Sequence, residues 1–480
     1  MLDLALIRAE PARVKAALAR RGVPPEAVQA VVDIDARSSA RLEVREALRH
    51  RRRRASEEIA LAKREARGTA DLERRARQVS EELAAVEAEV ADLESRRDRA
   101  LLDLPNLPMT DVPDERAPPL EPAAGLSAEG SLPKAEAAGD AESTAGAPPW
   151  PKPFPPLAHW DLMEILRLVH TTGLAPGRGF VMWRGRGARL VRALVDFLLD
   201  LHTRQFGYEE VRGPAIATRA SLTGSGHLPA LEGRMYAVDE CRVGAPHPRA
   251  GDGANGFAPA AGAPGDFAQA PAPPHACLFL APRAEPHLAN LHAGEVLEAE
   301  ALPIRHVSAG PAFRREAGSA GTASRGLLRL HEFDTAELYT FCRPDQAAEE
   351  LDRAVRAAET AMERLEVPHR RRLRPARDLS HAAAKTVDLE VWAHGMKEWL
   401  CVGALSTFTD YQARRTATRF RDGAGRPRLV HTVGGAAVAL PRLIAALLEG
   451  GQESGGTVNL PAALVPYMGG EASLTVSAGA

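Results

Sequence analysis

Cysteine is scarce in this chain: four residues, at 241, 277, 342 and 401, stand far apart and no two form a C-x-x-C pair. That spacing argues against a zinc knuckle and against a disulfide framework, and it suits a reducing cytoplasm. Aromatic residues are also few, at 5%, and the formal net charge is only -2. No global basic field is available to attract nucleic acid, so any RNA contact must come from a local patch. No apolar run reaches the roughly 18 residues of a membrane span, and the opening MLDLALIRAEPARV is too charged for a signal peptide. A cytoplasmic location is therefore expected. What the chain does have is length, 480 residues, enough for two or three domains.

Residues 1–112 form the first segment, helical in pattern to about residue 104. Two long segments are separated by Arg67, Gly68, Thr69 and Ala70, which predict a hairpin tip. In the second segment Val79, Leu83, Val86, Val90 and Leu93 recur at alternating steps of four and three, a heptad seam. Val44, Leu48, Ala55 and Ile59 supply the facing seam in the first. The first segment also carries Arg45, Arg49 and the run Arg51, Arg52, Arg53 and Arg54. Such a run is either a solvated helical face or a track for a phosphate backbone. Residues 113–156 are rich in Pro, Ala, Gly and Glu without a hydrophobic period and read as a disordered linker. A second low-complexity stretch, 243–276, reads as an insertion into a surface turn of the following domain, 157–470; residues 471–480 form a tail.

Within that domain, FRREAGSAGTASRGLLRLHEFDTAEL, from Phe313, reads as strand, loop, strand. Arg314 and Glu316 share a face of the first strand. Arg325, Phe333 and Glu337 fall at odd positions of the second and share a face by the strand period, leaving Leu328, Leu330, Ala336 and Leu338 for the core. Arginines suit phosphates, an aromatic ring stacks on a base, and a carboxylate takes an ammonium or an exocyclic amine. A half-buried hairpin with a charged outer face is the structural alternative. Upstream, Leu190, Leu194, Phe197, Leu198 and Leu201 predict an amphipathic helix over 187–206. Near the C-terminus Pro441 suits the first turn of an apolar helix, with Arg442 where the dipole favours anions.

FRREAGSAG…SRGLLRLHEFDTAE resembles motif 2 of class II aminoacyl-tRNA synthetases, specifically the seryl-tRNA synthetase family. The resemblance extends to LAHWDLME, TGSGHLPAL, LAPRAEPHLANLHAGE, KTVDLEVW, DYQARRTATRFRD, the motif 3 segment HTVGGAAVALPRLIAALLEGG and NLPAALVPYMGG, and to the helical opening with its closing LPNLPMTDVPDE. It implies an α+β fold: an antiparallel sheet flanked by helices, behind a long antiparallel helical hairpin that binds tRNA, here tRNA(Ser). It implies a homodimer built on the helix from Gly187 and on Pro214. ATP would be held with its α-phosphate on Arg314, its adenine amine on Glu316, its base on Phe333 and its distal phosphates on Arg325 and Arg442. Arg314 and Arg442 would be catalytic through charge stabilisation. Glu285 and Glu337 would line the amino-acid pocket, with Glu337 on the substrate ammonium.

Several positions depart from the family pattern. Arg283 stands for the threonine of its Thr-x-Glu loop, Cys401 for the carboxylate that holds Mg²⁺, and Ala404 for a nearby serine. Gly434 and Ala436 stand for the asparagine and the Ser or Thr that face the substrate. An oxygen-loving ion is poorly served by Cys, so no protein ligand for a metal is expected. Arg283 is expected to project into space left open by Gly434 and Ala436. A buried guanidinium must find an anion, either Glu337 or a carboxylate on another substrate. The implied activity is ATP-dependent activation of serine and its transfer to tRNA. The alternative is a paralogue that binds ATP and tRNA but activates another amino acid or is inactive.

Overall fold

The computed structural model describes residues 1–119, 152–170, 179–238, 278–316 and 325–476. Most of the linker expected over 113–156 and the whole insertion over 243–276 lie outside them. The contacts divide the chain into two units, Met1–Pro108 and Met109–Ala480.

The first unit is built on two long helices, α3 (Pro25–Arg64) and α4 (Ala70–Asp103), preceded by α1 (Leu4–Ala9) and α2 (Pro11–Ala19). Val79, Leu83, Val90 and Leu93 are buried along α4, and Leu48 packs against Val79 and Leu83 from α3. The seam read from α4 is therefore present. On α3 it is thinner than expected, since Val44 is 40% exposed. Ala70 starts α4 instead of closing the hairpin tip. One buried charge ties the base of the hairpin: Asp35 on α3 accepts from Arg8 at 2.6 and 2.8 Å and lies 3.6 Å from Arg97 on α4. The hydrogen bond from Arg8 holds the Asp35 carboxyl below its ordinary range.

The second unit is organised by a seven-stranded sheet. In chain order its strands are β1 (Glu209–Glu210), β2 (Ile304–Phe313), β3 (Glu332–Cys342), β4 (His369–Leu373), β5 (Lys385–Ala393), β6 (Glu398–Thr409) and β7 (His431–Ala439). Their spatial order is β4-β5-β6-β7-β3-β2-β1, antiparallel throughout except for the β1–β2 pair at the edge. One cross-strand row, Val307, Leu338, Leu405 and Val387, belongs to the hydrophobic core together with α6 (Arg186–Phe206), α7 (Ala347–Arg364) and α9 (Leu440–Gly451). The period-2 rule then sends the neighbouring rows to the opposite face. Those rows are Ser308–Glu337–Ala436–Ala404–Asp388 and His306–Tyr339–Gly434–Ser406–Thr386.

The apolar stripe of α6 is as predicted: Leu190, Leu194, Phe197, Leu198 and Leu201 are all buried, each contributing roughly 1.5–3 kcal/mol. They face the chain's own core, so this stripe carries no argument for a second copy. The return strand is shorter than the sequence pattern predicts. β3 begins at Glu332, and the stretch from Arg325 to His331 is turn. Its N–H groups go elsewhere: Leu327 donates to His159 Nε2 at 3.1 Å and His331 to the Gly179 carbonyl at 2.8 Å. His159, on α5 (His159–Ile165), is fixed in turn by Glu449 of α9 at 2.9 Å. Leu330 is buried and Leu328 packs on the core, as expected, but from a turn. No helix among the described residues is long and apolar enough to cross a membrane.

His202, on α6, is wholly buried and neither ring nitrogen has a partner among the described residues. Burial lowers its pKa from 6.5 to about 4. The native state keeps it neutral while the unfolded chain takes up a proton below 6.5, so stability is lost as pH falls from 6.5 towards 4. His202→Leu should remove about 3 kcal/mol of that loss, 1.36 kcal/mol per unit. Denaturant unfolding of both proteins between pH 4 and 7 checks this; parallel curves would contradict it.

Candidate functional site

The polar face of the sheet collects three arginines and two carboxylates around β3. Arg314 lies one residue past the end of β2, with its backbone N–H bonded to the His331 carbonyl at 2.8 Å. Its guanidinium sits over the Phe333 ring, 5.4 Å from the centroid, and has no ion-pair partner among the described residues. Burial, and then the nearby Arg283, push its pKa down to about 10. A half-buried cation without an ion-pair partner among the described residues is a ready site for an anion, and Phe333 beside it presents a half-buried ring.

The other nucleotide candidates are placed less uniformly. Glu316 accepts from Arg329 Nε at 2.9 Å. Arg325 is not on the strand face with Phe333. It is 60% exposed at the turn, stacked 4.6 Å over Trp160 and 3.8 Å from Asp161. Arg442 stands in the first turn of α9, where Nη1 donates to the Cys401 carbonyl at 2.6 Å and Nη2 to the Leu328 carbonyl at 3.5 Å.

Arg283 has found its anions inside the chain. Nε donates to Glu337 at 3.0 Å and Nη1 to Glu285 at 3.0 Å. Burial opposes its charge, but Glu337 and then Glu285 outweigh that and raise its pKa. Burial raises the pKa of Glu285 despite Arg283. The second oxygens are also taken: Glu337 accepts the Glu285 N–H at 2.8 Å and Glu285 accepts from Gln412 Nε2 at 2.8 Å. Gln412, on α8 (Tyr411–Thr416), also donates to the Ser225 carbonyl at 2.9 Å and accepts from Tyr339 at 2.7 Å and Thr432 at 2.8 Å. Sequence reasoning missed this hub. Gln412 sits inside DYQARRTATRFRD with nothing local to mark it. Tyr339, two residues beyond Glu337 on the same face, could have been found by the strand period.

Gly434 does not leave the open space expected of it. A Cβ there would lie 2.5 Å from the Leu338 carbonyl oxygen and 2.8 Å from the Tyr339 ring. Arg283 turns to the carboxylates. Ala436 and Ala404, half-buried, put two methyl groups between Glu337 and Asp388 in the register row. Asp388 is paired with Arg374.

The position expected to lack a metal ligand holds a thiol that burial pushes up to about 11, so it stays protonated, donating to the Gly403 carbonyl at 3.3 Å. Its strand neighbour Glu390 is held by Arg370 at 2.6 Å. Among the described residues no three His, Cys, Asp or Glu come together to hold a metal ion. These residues do not fit a protein-held Mg²⁺.

In the first unit Arg45, Arg49 and Arg51 lie 2.9, 2.8 and 3.9 Å from Glu46, Glu87 and Glu82. Arg52, Arg53 and Arg54 are exposed and carry no ion pair among the described residues.

Gly434→Asn should lower stability by roughly 1–3 kcal/mol through overpacking against β3. The shift in denaturation midpoint reads it, and an unchanged midpoint would show that β7 and β3 can part.

Residues 274–450 match the tRNA synthetase class II core domain (G, H, P, S and T), and residues 1–108 match the seryl-tRNA synthetase N-terminal domain. The chain is 36% identical to the serine–tRNA ligase of Gemmatimonas aurantiaca, over 98% of this chain and 99% of that protein. It is 35% identical to that of Pelotomaculum thermopropionicum, with the same coverage. The crystal structure of seryl-tRNA synthetase from Pyrococcus horikoshii complexed with ATP superimposes with a TM-score of 0.80 at 27% identity, covering 100% of both chains. Identity of this level over the full length, joined to a class II sheet and a matching helical arm, places the chain in the serine–tRNA ligase family.

Proposed function

We propose that the protein binds ATP on the polar face of the sheet, activates an amino acid as its adenylate and transfers it to tRNA, with serine and tRNA(Ser) as the family substrates. The observation that carries the nucleotide reading is Arg314: a guanidinium with no ion-pair partner among the described residues, 5.4 Å from the centroid of the Phe333 ring. In the first step a carboxylate oxygen of the amino acid attacks the α-phosphorus. The bond to the bridging oxygen breaks and pyrophosphate leaves with the electron pair. Arg314 stabilises the charge on the α-phosphoryl oxygens. In the second step a hydroxyl of the terminal ribose attacks the acyl carbon and AMP leaves. No covalent enzyme intermediate is needed, so catalysis is by positioning and by fixed charge.

Phe333 stacks on adenine and Glu316 takes its amine once Arg329 yields. Arg325 and Arg442 serve the distal phosphates. Glu337, with Glu285, receives the substrate ammonium. Any Mg²⁺ would come with the nucleotide's own phosphates. Residues 1–112 are the tRNA-binding arm and 157–470 the catalytic domain. The protein works as a cytoplasmic homodimer through the region from Gly187 to Pro214. Because the α6 stripe is internal, the exposed Pro214, Ala215 and Ile216 are the surface offered to the partner.

Calorimetry with ATP tests the site. Phe333→Ala should weaken binding by roughly 1–3 kcal/mol, the range for base–aromatic stacking. Absence of ATP binding to the unmutated protein would remove the nucleotide reading. For the arm, replacing Arg52, Arg53 and Arg54 with Ala should lower the salt slope of tRNA binding by about one for each phosphate no longer neutralised. Changing the paired Arg45, Arg49 and Arg51 should lower it less. Equal slopes for the two triple variants would argue that ion pairing within the hairpin does not select which arginines meet the RNA.

A further inference from the structure

Glu285 and Glu337 are 4% and 1% exposed, and one internal cation, Arg283, bridges them. All four carboxylate oxygens already have a donor: two from Arg283, one from the Glu285 N–H and one from Gln412. An ammonium arriving here must displace Arg283 or lie against it. Lying against it is unfavourable, because cations at that spacing repel strongly where water is excluded. Burial, and then the same repulsion from Arg283, already lower the pKa of Arg314. Displacement exchanges one charge-assisted pair for another and must also move a side chain that is only 17% exposed. The floor beside it offers no compensation, since Ala436 and Ala404 present methyl groups where a hydroxyl would need a partner.

We propose that Arg283 is the specificity-determining residue of the amino-acid subsite, a built-in cation that competes with a substrate ammonium for Glu337 and Glu285. This rests on the reading of those carboxylates as the ammonium site. Serine binds weakly to this chain because Arg283 holds its place, and the acid that meets least resistance carries no α-ammonium.

Binding of L-serine and of glycerate is measured on the full chain with and without ATP. Glycerate keeps the hydroxyl and carboxylate of serine but has no ammonium. Arg283→Thr should bind L-serine at least tenfold more tightly than the unmutated protein and leave glycerate unchanged. Arg283→Lys, which keeps a cation, should stay with the unmutated protein. Arg283→Met keeps the side-chain volume should the threonine variant not fold. In pyrophosphate exchange the gain should appear in KM and not in kcat, because Cys401, Ala404 and Ala436 are unchanged. L-serine bound as tightly by the unmutated protein as by Arg283→Thr overturns the proposal. So does a folded, ATP-binding Thr or Met variant that gains no serine affinity, or a gain shared equally by glycerate. Loss of ATP binding across the whole series would instead refute the nucleotide reading, while the serine comparison without ATP would still decide the role of Arg283.

Discussion

The polar face of the second unit is held by a buried charge network in which every carboxylate oxygen is bonded. Two carboxylates lie on the polar side of the sheet, and each survives desolvation only because every oxygen is bonded. Arg283 supplies the opposite charge. Gln412 supplies neutral donors and acceptors and passes the network on to Tyr339 and Thr432. Removing any one member strands a buried polar group, which costs more than the bond itself contributed. The loop before Glu285, strands β3 and β7 and helix α8 are thus held to one geometry by a handful of hydrogen bonds.

The sheet makes this network possible by separating its two faces. Val307, Leu338, Leu405 and Val387 form an apolar row beneath α7 and α9, and the alternate rows are free to carry charge. The burial that stabilises one face sets the chemistry of the other. Glu337 is buried on a strand packed from behind, and Arg314, just past the end of β2 with its pKa lowered by burial, has no ion-pair partner among the described residues. The His159–Glu449 latch adds a second constraint. It accepts the Leu327 N–H within the turn before Glu332, the same turn from which Arg325 lies over Trp160.

The arm follows a simpler logic. Its seam is short of large side chains on α3, and ion pairs between the helices make up part of the contact. Pairing sorts the basic residues into those with an acidic partner and those with no ion pair among the described residues. The order Arg51 to Arg54 along the chain does not show that division, because it depends on which face of α3 meets the glutamates of α4.

Periodicity in the sequence determined the elements whose fate rests on burial alone: the α6 stripe, the α4 seam, the alternation of Glu337 with Ala336 and Leu338, and the apolar helix opening at Pro441. Side chains of that kind need only a hydrophobic side to face, and spacing specifies the side. The substitutions at 283, 401, 404, 434 and 436 were also legible, as departures from a family pattern. Only the tertiary structure decided what each departure does. Whether Gly434 opens a cavity or lies against β3, and whether Arg283 meets Glu337 of the chain or an anion of a ligand, depends on atoms far apart in sequence brought within 3 Å. The same holds for Gln412, whose partners Glu285, Tyr339, Thr432 and Ser225 come from four separate segments. A hydrogen bond is directional and short-ranged, so its partner is set by the packed backbone and leaves no period in the sequence.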